Sequence, residues 1–156
     1  MNKVIIYDFD GVMTDNKVLI SEDGKESVSC NRSDGLAISM LRKKNISQII
    51  VSTETNKVVS KRAKKLKIDF IDGVKNKKEI ILKIKNKFNF NLSKSVYIGN
   101  DINDLDAMSL FGLKICPHDA YDRVKEISDI VTNSKGGDGV IRELIDNKNF
   151  CKFLNF

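Results

Sequence analysis

The chain has 156 residues, 41% of them hydrophobic, which suffices for one sizeable core and is too little for two ordinary domains, so a single domain over residues 1–156 is expected. The formal charge of +6 comes from 27 Lys and Arg against 21 Asp and Glu, but only five of the basic residues are arginine, and the lysines are scattered through every helical stretch. That pattern argues against a nucleic-acid surface, which favours arginine forks and aromatic platforms, and fits solvated helix faces that also draw in anions. Cys30, Cys116 and Cys151 lie too far apart for a zinc or redox pair, and the opening MNKVIIYDFD matches neither a signal peptide nor a membrane span. A cytoplasmic location, reduced thiols and no membrane contact are expected.

In chain order, the short β-branched runs KVIIY, QIIVS, DFI, SVYIG, LKIC and DIV alternate with stretches of helical period at residues 35–44, 56–66, 77–88, 104–110, 120–127 and 140–145. Such alternation predicts an α/β fold, a Rossmann-like parallel sheet built from βαβ units with helices on both faces. One segment breaks it: VLISEDGKESVSC places two extended runs around Asp23-Gly24, a dipeptide suited to the positive φ of a tight turn. A β-hairpin flap over about residues 17–31 is predicted. A hairpin is marginal alone, so it packs on its own domain or pairs with a second copy.

The chemistry gathers at two strand ends. The first strand runs into Asp8-Phe9-Asp10-Gly11, at the carboxyl edge where open α/β sheets bind ligands. Side chains alternate along a strand, so Asp8 and Asp10 point the same way, and two carboxylates that close need a cation to stay ionised. Mg²⁺ suits a few hard oxygens plus water and a substrate phosphate. The loop does not read as an EF-hand, because Gly11 falls at the wrong position. Further on, Gly99-Asn100-Asp101-Ile102-Asn103-Asp104 puts two more acids at a strand-to-helix turn. Asp101 is expected to complete the metal sphere, with Asp104 either ligating or orienting it.

These residues resemble the motifs of the haloacid dehalogenase-like phosphatases. The first motif, DxDGxxTD, is met by Asp8, Asp10, Gly11, Thr14 and Asp15; Ser52 closes the second predicted sheet strand, Lys77 precedes a helix, and GNDIND is the acidic fourth motif. The resemblance implies Asp8 as nucleophile, Asp10 as general acid and base, Ser52 as a donor to the phosphoryl group, Lys77 as charge neutraliser, and Asp8, Asp10, Asp101 and Asp104 around Mg²⁺. No segment is long enough for a large cap domain. With the hairpin and the tail Gly136-Gly137-Asp138-Gly139-Val140-Ile141-Arg142-Glu143, the chain is similar to the capless 3-deoxy-octulosonate 8-phosphate phosphatases and their sialic-acid-type relatives. Those work as tetramers in which a neighbour's hairpin and tail help close the site, so a homotetramer is implied here.

Two departures point within that group. Where the octulosonate branch usually reads TGR, this chain has Ser52-Thr53-Glu54, and Asp138 stands where an arginine is common in the tail. With Arg62 and Lys65 at helical spacing, Glu54 resembles the branch acting on nine-carbon 2-keto-3-deoxy sugar acid 9-phosphates. The expected substrate is therefore a small nonulosonate 9-phosphate, with the octulosonate 8-phosphate as the alternative. Thr14, Arg32, Thr53, Glu54, Arg62 and Lys65 are the expected substrate contacts. A receiver-like signalling module is the non-enzyme rival, but it needs an aspartate after a middle strand, and residues 52–56 contain none. A non-catalytic phosphate-binding relative is disfavoured by four chemically competent motifs. His118, the single histidine, has no assigned role.

Overall fold

A computed structural model of the protein describes residues 2–156. Strands β1 (Val4–Tyr7), β4 (Ser47–Val51), β5 (Asp69–Ile71), β6 (Val96–Ile98), β7 (Leu113–Cys116) and β8 (Ile130–Val131) form one sheet of order β5-β4-β1-β6-β7-β8, parallel at every pairing. Between and after them run α1 (Arg32–Lys43), α2 (Lys57–Leu66), α3 (Lys77–Phe88), α4 (Leu105–Met108), α5 (Asp122–Ile127), α6 (Val140–Leu144) and α7 (Lys148–Leu154). The expected parallel α/β sheet is present.

The alternation of β1 explains its burial. Ile5 and Tyr7 enter a core shared with α1, α2, α6 and α7, while Val4 and Ile6 enter a second core against α3, α4 and α5. All four side chains are fully buried, so the strand that delivers Asp8 is clamped on both faces. From β1 the chain winds outward through β4 and β5, then returns to lay β6, β7 and β8 on the other flank. The winding reverses between β1 and β6, and ligands bind at such switch points beyond the carboxyl ends of the strands.

Several boundaries differ from expectation. Helix α1 starts at Arg32 rather than residue 35, because Asn31 caps it by accepting from Ser33 N, which puts Asp34 in the first turn. The helix expected over 104–110 is a 3₁₀ turn, Ile102–Asp104, followed by the single turn α4, since Asp101 caps at 101. Helix α7 was not foreseen. Asn147 caps it, and Phe150 and Leu154, one turn apart, bury into the first core. The flap consists of β2 (Leu19–Ile20) and β3 (Glu26–Ser27), antiparallel, with residues 21–25 between them, so the turn is longer than a two-residue one. Only Gly24 of the Asp-Gly pair takes positive φ, at 77°. An antiparallel bridge between Thr14 and Cys30 closes its base.

Candidate active site

Asp8 leaves the end of β1 with 5% exposure, and its backbone N–H donates to Ile98 O at 2.9 Å, tying it to the end of β6. Its Oδ1 accepts from Phe9 N at 2.7 Å and faces Lys77 Nζ at 2.8 Å. Lys77 opens α3 after the positive-φ turn at Gly73 and donates to Asp104 Oδ1 at 2.7 Å. Three formal charges thus share one buried cluster, with one cation between two carboxylates. Burial pushes the Lys77 ammonium down, yet the Asp8 and Asp104 carboxylates outweigh it and raise its pKa, so it stays cationic. Asp8 is pushed well above the usual carboxylate range by burial and then by Asp104, with Lys77 opposing. A further cation is what this excess of negative charge calls for.

Asp10 lies one strand-step on and is only partly buried; burial raises its pKa, which suits a group that must carry a proton to a leaving oxygen. Ser52 directly follows β4, beside β1, with 1% exposure, and its Oγ accepts from Glu54 N at 3.1 Å, leaving its O–H free to donate. Asp8, Asp10, Ser52 and Lys77 therefore stand where the sequence put them, at the carboxyl edge of neighbouring strands. A cavity of about 260 Å³ under the flap is lined by Asp10, Lys17, Glu26, Glu54 and Val58, among others.

The remaining expected residues sort differently. Thr14 is fully buried, so it is corrected from a substrate contact to a positioning residue: its hydroxyl donates to Asp10 Oδ1 at 3.1 Å and accepts from Gly11 N and Asn16 N, each at 3.2 Å. Asp104 is corrected from a metal ligand. Its Oδ1 accepts from Lys77 and from the Tyr97 hydroxyl at 2.8 Å, and its Oδ2 from Asn100 N at 3.0 Å and Asp101 N at 3.3 Å, which fills both oxygens. Asp101 turns its Oδ1 onto Ile102 N at 2.6 Å, and among the described residues no three His, Cys, Asp or Glu side chains come together as a metal site. The acidic ring of Asp8, Asp10 and Asp101 is thus not assembled.

The side chain that does reach Asp8 and Asp10 is Asn100, which the sequence reading had passed over. It is 5% exposed and directly follows Gly99 at the end of β6. As placed, its amide oxygen faces only acceptors, Asp8 Oδ2 and the Asp10 carbonyl; a half-turn of the amide would convert these into hydrogen bonds of 3.2 and 2.9 Å. Position was the available signal, because the residue after a strand-ending glycine points into the switch-point crevice.

Thr53 is exposed, while Glu54 is half-buried in the flap cavity with Oε1 accepting from Thr55 N at 2.7 Å and Asn56 N at 2.9 Å. Arg32, Arg62 and Lys65 do not reach that cavity. They line a separate groove of about 450 Å³ between α1 and α2, and Arg62 donates to Asn31 O at 2.8 Å. Helix geometry is the reason: α2 runs back from the carboxyl edge at about 1.5 Å per residue, so Arg62 and Lys65 sit roughly 8 and 12 Å down it from Lys57.

The tail folds onto the chain's own first motif. Gly137 N donates to Val12 O at 3.0 Å, and a Cβ at Gly136 would come within 2.1 Å of Gly11 O. Asp34, buried in α1, accepts from Arg142 N at 3.0 Å and so pins the start of α6.

A doubly wound sheet with a buried aspartate and lysine paired at its switch point, flanked by a second aspartate, is the arrangement of an α/β hydrolase. The chain belongs to the haloacid dehalogenase-like hydrolases, whose family model matches residues 36–144. A relative from Haemophilus influenzae, the 3-deoxy-D-manno-octulosonate 8-phosphate phosphatase KdsC, is 30% identical over 92% of this chain and 81% of its own length. A HAD family hydrolase structure from Streptomyces avermitilis superposes with a TM-score of 0.90 at 38% identity, covering 98% of this chain and 84% of that one. The structure of the octulosonate 8-phosphate phosphatase from Moraxella catarrhalis, in complex with magnesium, phosphate and KDO, superposes at 0.91 with 28% identity, covering 99% and 88%. Among the described residues, no helix is long and apolar enough to cross a membrane.

Proposed function

We propose that the protein is a Mg²⁺-dependent phosphomonoesterase acting on a 2-keto-3-deoxy sugar acid phosphate, with 3-deoxy-D-manno-octulosonate 8-phosphate as its substrate. The observation that carries the chemistry is Lys77 held between Asp8 and Asp104, beside an Asp10 whose pKa burial raises. The choice of sugar is supported by the octulosonate phosphatases among its relatives.

A carboxylate oxygen of Asp8 attacks phosphorus, forming an aspartyl phosphate as the sugar–phosphate P–O bond breaks. Asp10, held by Thr14, gives its proton to the departing sugar oxygen and then takes one from water. That water attacks the aspartyl phosphate, releasing phosphate and free Asp8. The Ser52 hydroxyl donates to a phosphoryl oxygen, and Lys77 balances the charge on Asp8 throughout. Mg²⁺, held by an Asp8 carboxylate oxygen and the Asp10 carbonyl, would neutralise the approaching phosphate. The donor set fits it, being hard oxygen in a cluster short of positive charge.

The nine-carbon 9-phosphate is a second reading because Glu54, the departure from the TGR pattern, lines the cavity under the flap. Arg62 and Lys65 lend it no support within one chain. The expected homotetramer is supported by the flap, whose Leu19 and Ile20 are 74% and 62% exposed.

The test is phosphate release from both sugars, with Mg²⁺ and with EDTA, by the wild type, Asp8→Asn and Glu54→Arg. Metal-dependent turnover favouring the 8-phosphate, abolished in Asp8→Asn, is the expected result. Preference for the 9-phosphate that Glu54→Arg erodes would transfer the assignment to the second reading. Full activity in EDTA or in Asp8→Asn would exclude the mechanism.

A further inference from the structure

We infer that Tyr97 is a positioning residue for the hydrolysis, its hydroxyl holding Asp104 so that Lys77 stays on Asp8. The inference rests on Asp8 being the nucleophile, as proposed above, and not on which sugar is hydrolysed. Tyr97 sits in the middle of β6 and turns its fully buried ring into the second core, edge-to-face with Phe111 at 5.2 Å between centroids. A phenylalanine would meet that packing. The hydroxyl is what an apolar core does not call for, because a buried O–H costs free energy unless it is paired. It reaches Asp104 Oδ1 at 2.8 Å. Burial, then the Asp104 and Asp8 carboxylates, push its pKa well above the ordinary tyrosine value, so the hydroxyl keeps its proton and donates it.

The same Asp104 oxygen accepts from Lys77 Nζ at 2.7 Å, and that nitrogen lies 2.8 Å from Asp8 Oδ1, so one ammonium is shared almost evenly between two carboxylates. The other Asp104 oxygen is tied to the Asn100 and Asp101 N–H groups. Among the described residues, Tyr97 and Lys77 are the two side chains that donate to Asp104. The Tyr97 hydroxyl takes up part of the charge on Oδ1 and fixes where that oxygen stands. Without it, Lys77 is the only donor left to Oδ1, and the Lys77–Asp104 pair closes up at the expense of Asp8. Asp8 Oδ1 is held by Lys77 and by Phe9 N, and these two fix the turn of the carboxyl about its last bond. A displaced ammonium therefore loosens the line along which Asp8 meets phosphorus, and reaction rates fall steeply with such misorientation.

Tyr7 supplies the contrast. It lies on the neighbouring strand β1, is equally buried, and its hydroxyl donates at the same 2.8 Å, but to Gln48 Oε1, whose amide in turn donates to Ile38 O. Nothing in that chain of contacts leads to Lys77. Two phenol hydroxyls of equal burial thus differ in whether a charged cluster lies behind them.

The experiment is steady-state hydrolysis of p-nitrophenyl phosphate and of the two sugar acid phosphates by wild type, Tyr97→Phe and Tyr7→Phe, with thermal unfolding of each. Tyr97→Phe is expected to lower kcat about tenfold with KM within about twofold, as loss of a hydrogen bond that matters only for orientation in the transition state should. The factor should be the same on p-nitrophenyl phosphate, whose leaving group departs without a proton, because the effect lies at Asp8 and not at Asp10. Tyr7→Phe should lower Tm and leave kcat within about twofold of wild type. A kcat for Tyr97→Phe within about twofold of wild type would overturn the inference, as would an equal loss in Tyr7→Phe, which would make both effects ones of stability. A raised KM with kcat unchanged, or a loss seen on the sugars but absent on p-nitrophenyl phosphate, would also overturn it. Wild type that turns over p-nitrophenyl phosphate and neither sugar would remove the sugar assignment alone, and the same comparison on that ester would still decide the role of Tyr97. Wild type inactive on all three would remove the phosphatase reading and this inference with it.

Discussion

Lys77 Nζ lies 2.8 Å from Asp8 Oδ1 with its side chain 1% exposed, so the Asp8 carboxylate and its counter-charge are out of water together. Removing one member of such a cluster leaves uncompensated charge. Lys77→Met is expected to unfold about 3 to 5 kcal/mol more easily in urea at neutral pH, and to lose activity by about 10² or more. Asp104→Asn keeps an oxygen for Tyr97 and Lys77 but turns its NH₂ against the Asn100 and Asp101 N–H groups, so it too should lose stability, by about 1 to 3 kcal/mol for each N–H left unpaired. Equal stability of Lys77→Met and wild type would mean that the cluster is not ionised as drawn.

Thr14 touches Asp10 and two backbone N–H groups rather than solvent, which separates it from a substrate contact in kinetics. Thr14→Val should lower kcat by about 10 to 100-fold with KM within about twofold, and Thr14→Ser should restore most of it. The missing acceptor should also cost about 1 to 3 kcal/mol in stability for each N–H left unpaired. A raised KM with kcat unchanged would restore the substrate role.

The parts of the site that were legible in the sequence are those fixed by backbone direction. Val4 to Tyr7 read as a strand buried on both faces, and a residue just past such a strand must lie at the carboxyl edge, which placed Asp8, Asp10 and Ser52. Lys77 followed from its match to the family motif, a lysine before a helix. What stayed hidden depends on where side-chain atoms point. Nothing in the order of residues tells that Thr14 is sealed beneath its own loop, that Asp104 is saturated by four donors, or that Arg62 faces α1 instead of the flap cavity. Asn100 and Asp101 are neighbours in a tight turn, and one residue of register decides which faces the crevice. Helix α7 escaped because a helix of about two turns with Phe150 and Leu154 as its only buried residues carries little periodic signal.

The tail's closeness to the first motif makes Gly136 sensitive for a reason unrelated to its φ. A Cβ there would meet Gly11 O at 2.1 Å and Thr14 O at 2.9 Å, both backbone atoms that cannot rotate away. Gly136→Ala is expected to cost about 1 to 3 kcal/mol and to displace the loop carrying Asp10, lowering kcat. Gly24→Ala in the flap, with nothing within 4 Å of its Cβ but a φ of 77°, should cost less and leave kcat near wild type. Thermal unfolding and initial rates on the two variants, side by side, check the contrast.

Asp34 gives a prediction in pH. Its carboxyl is raised above the usual value, first by burial, against the opposing pull of the Arg142 and Ile141 amides, and its Oδ2 has no hydrogen-bond partner. A carboxyl whose folded pKa is raised binds its proton more tightly in the native state than in the unfolded chain. Its contribution to stability is therefore fully present below the unfolded value of about 3.9 and is lost as pH rises through the folded value. Above that, ionised Asp34 costs the fold what burial of a charge costs, less what the two amides return. Asp34→Asn keeps an oxygen for Arg142 N and cannot ionise, so its stability relative to wild type should climb as pH rises from about 4 towards 7, by at most about 1.4 kcal/mol per pH unit. Urea unfolding of both proteins across that range reads the difference directly. A gap independent of pH would mean that Asp34 has the same proton affinity folded and unfolded, and a gap that shrinks with rising pH would mean that the two amides outweigh burial.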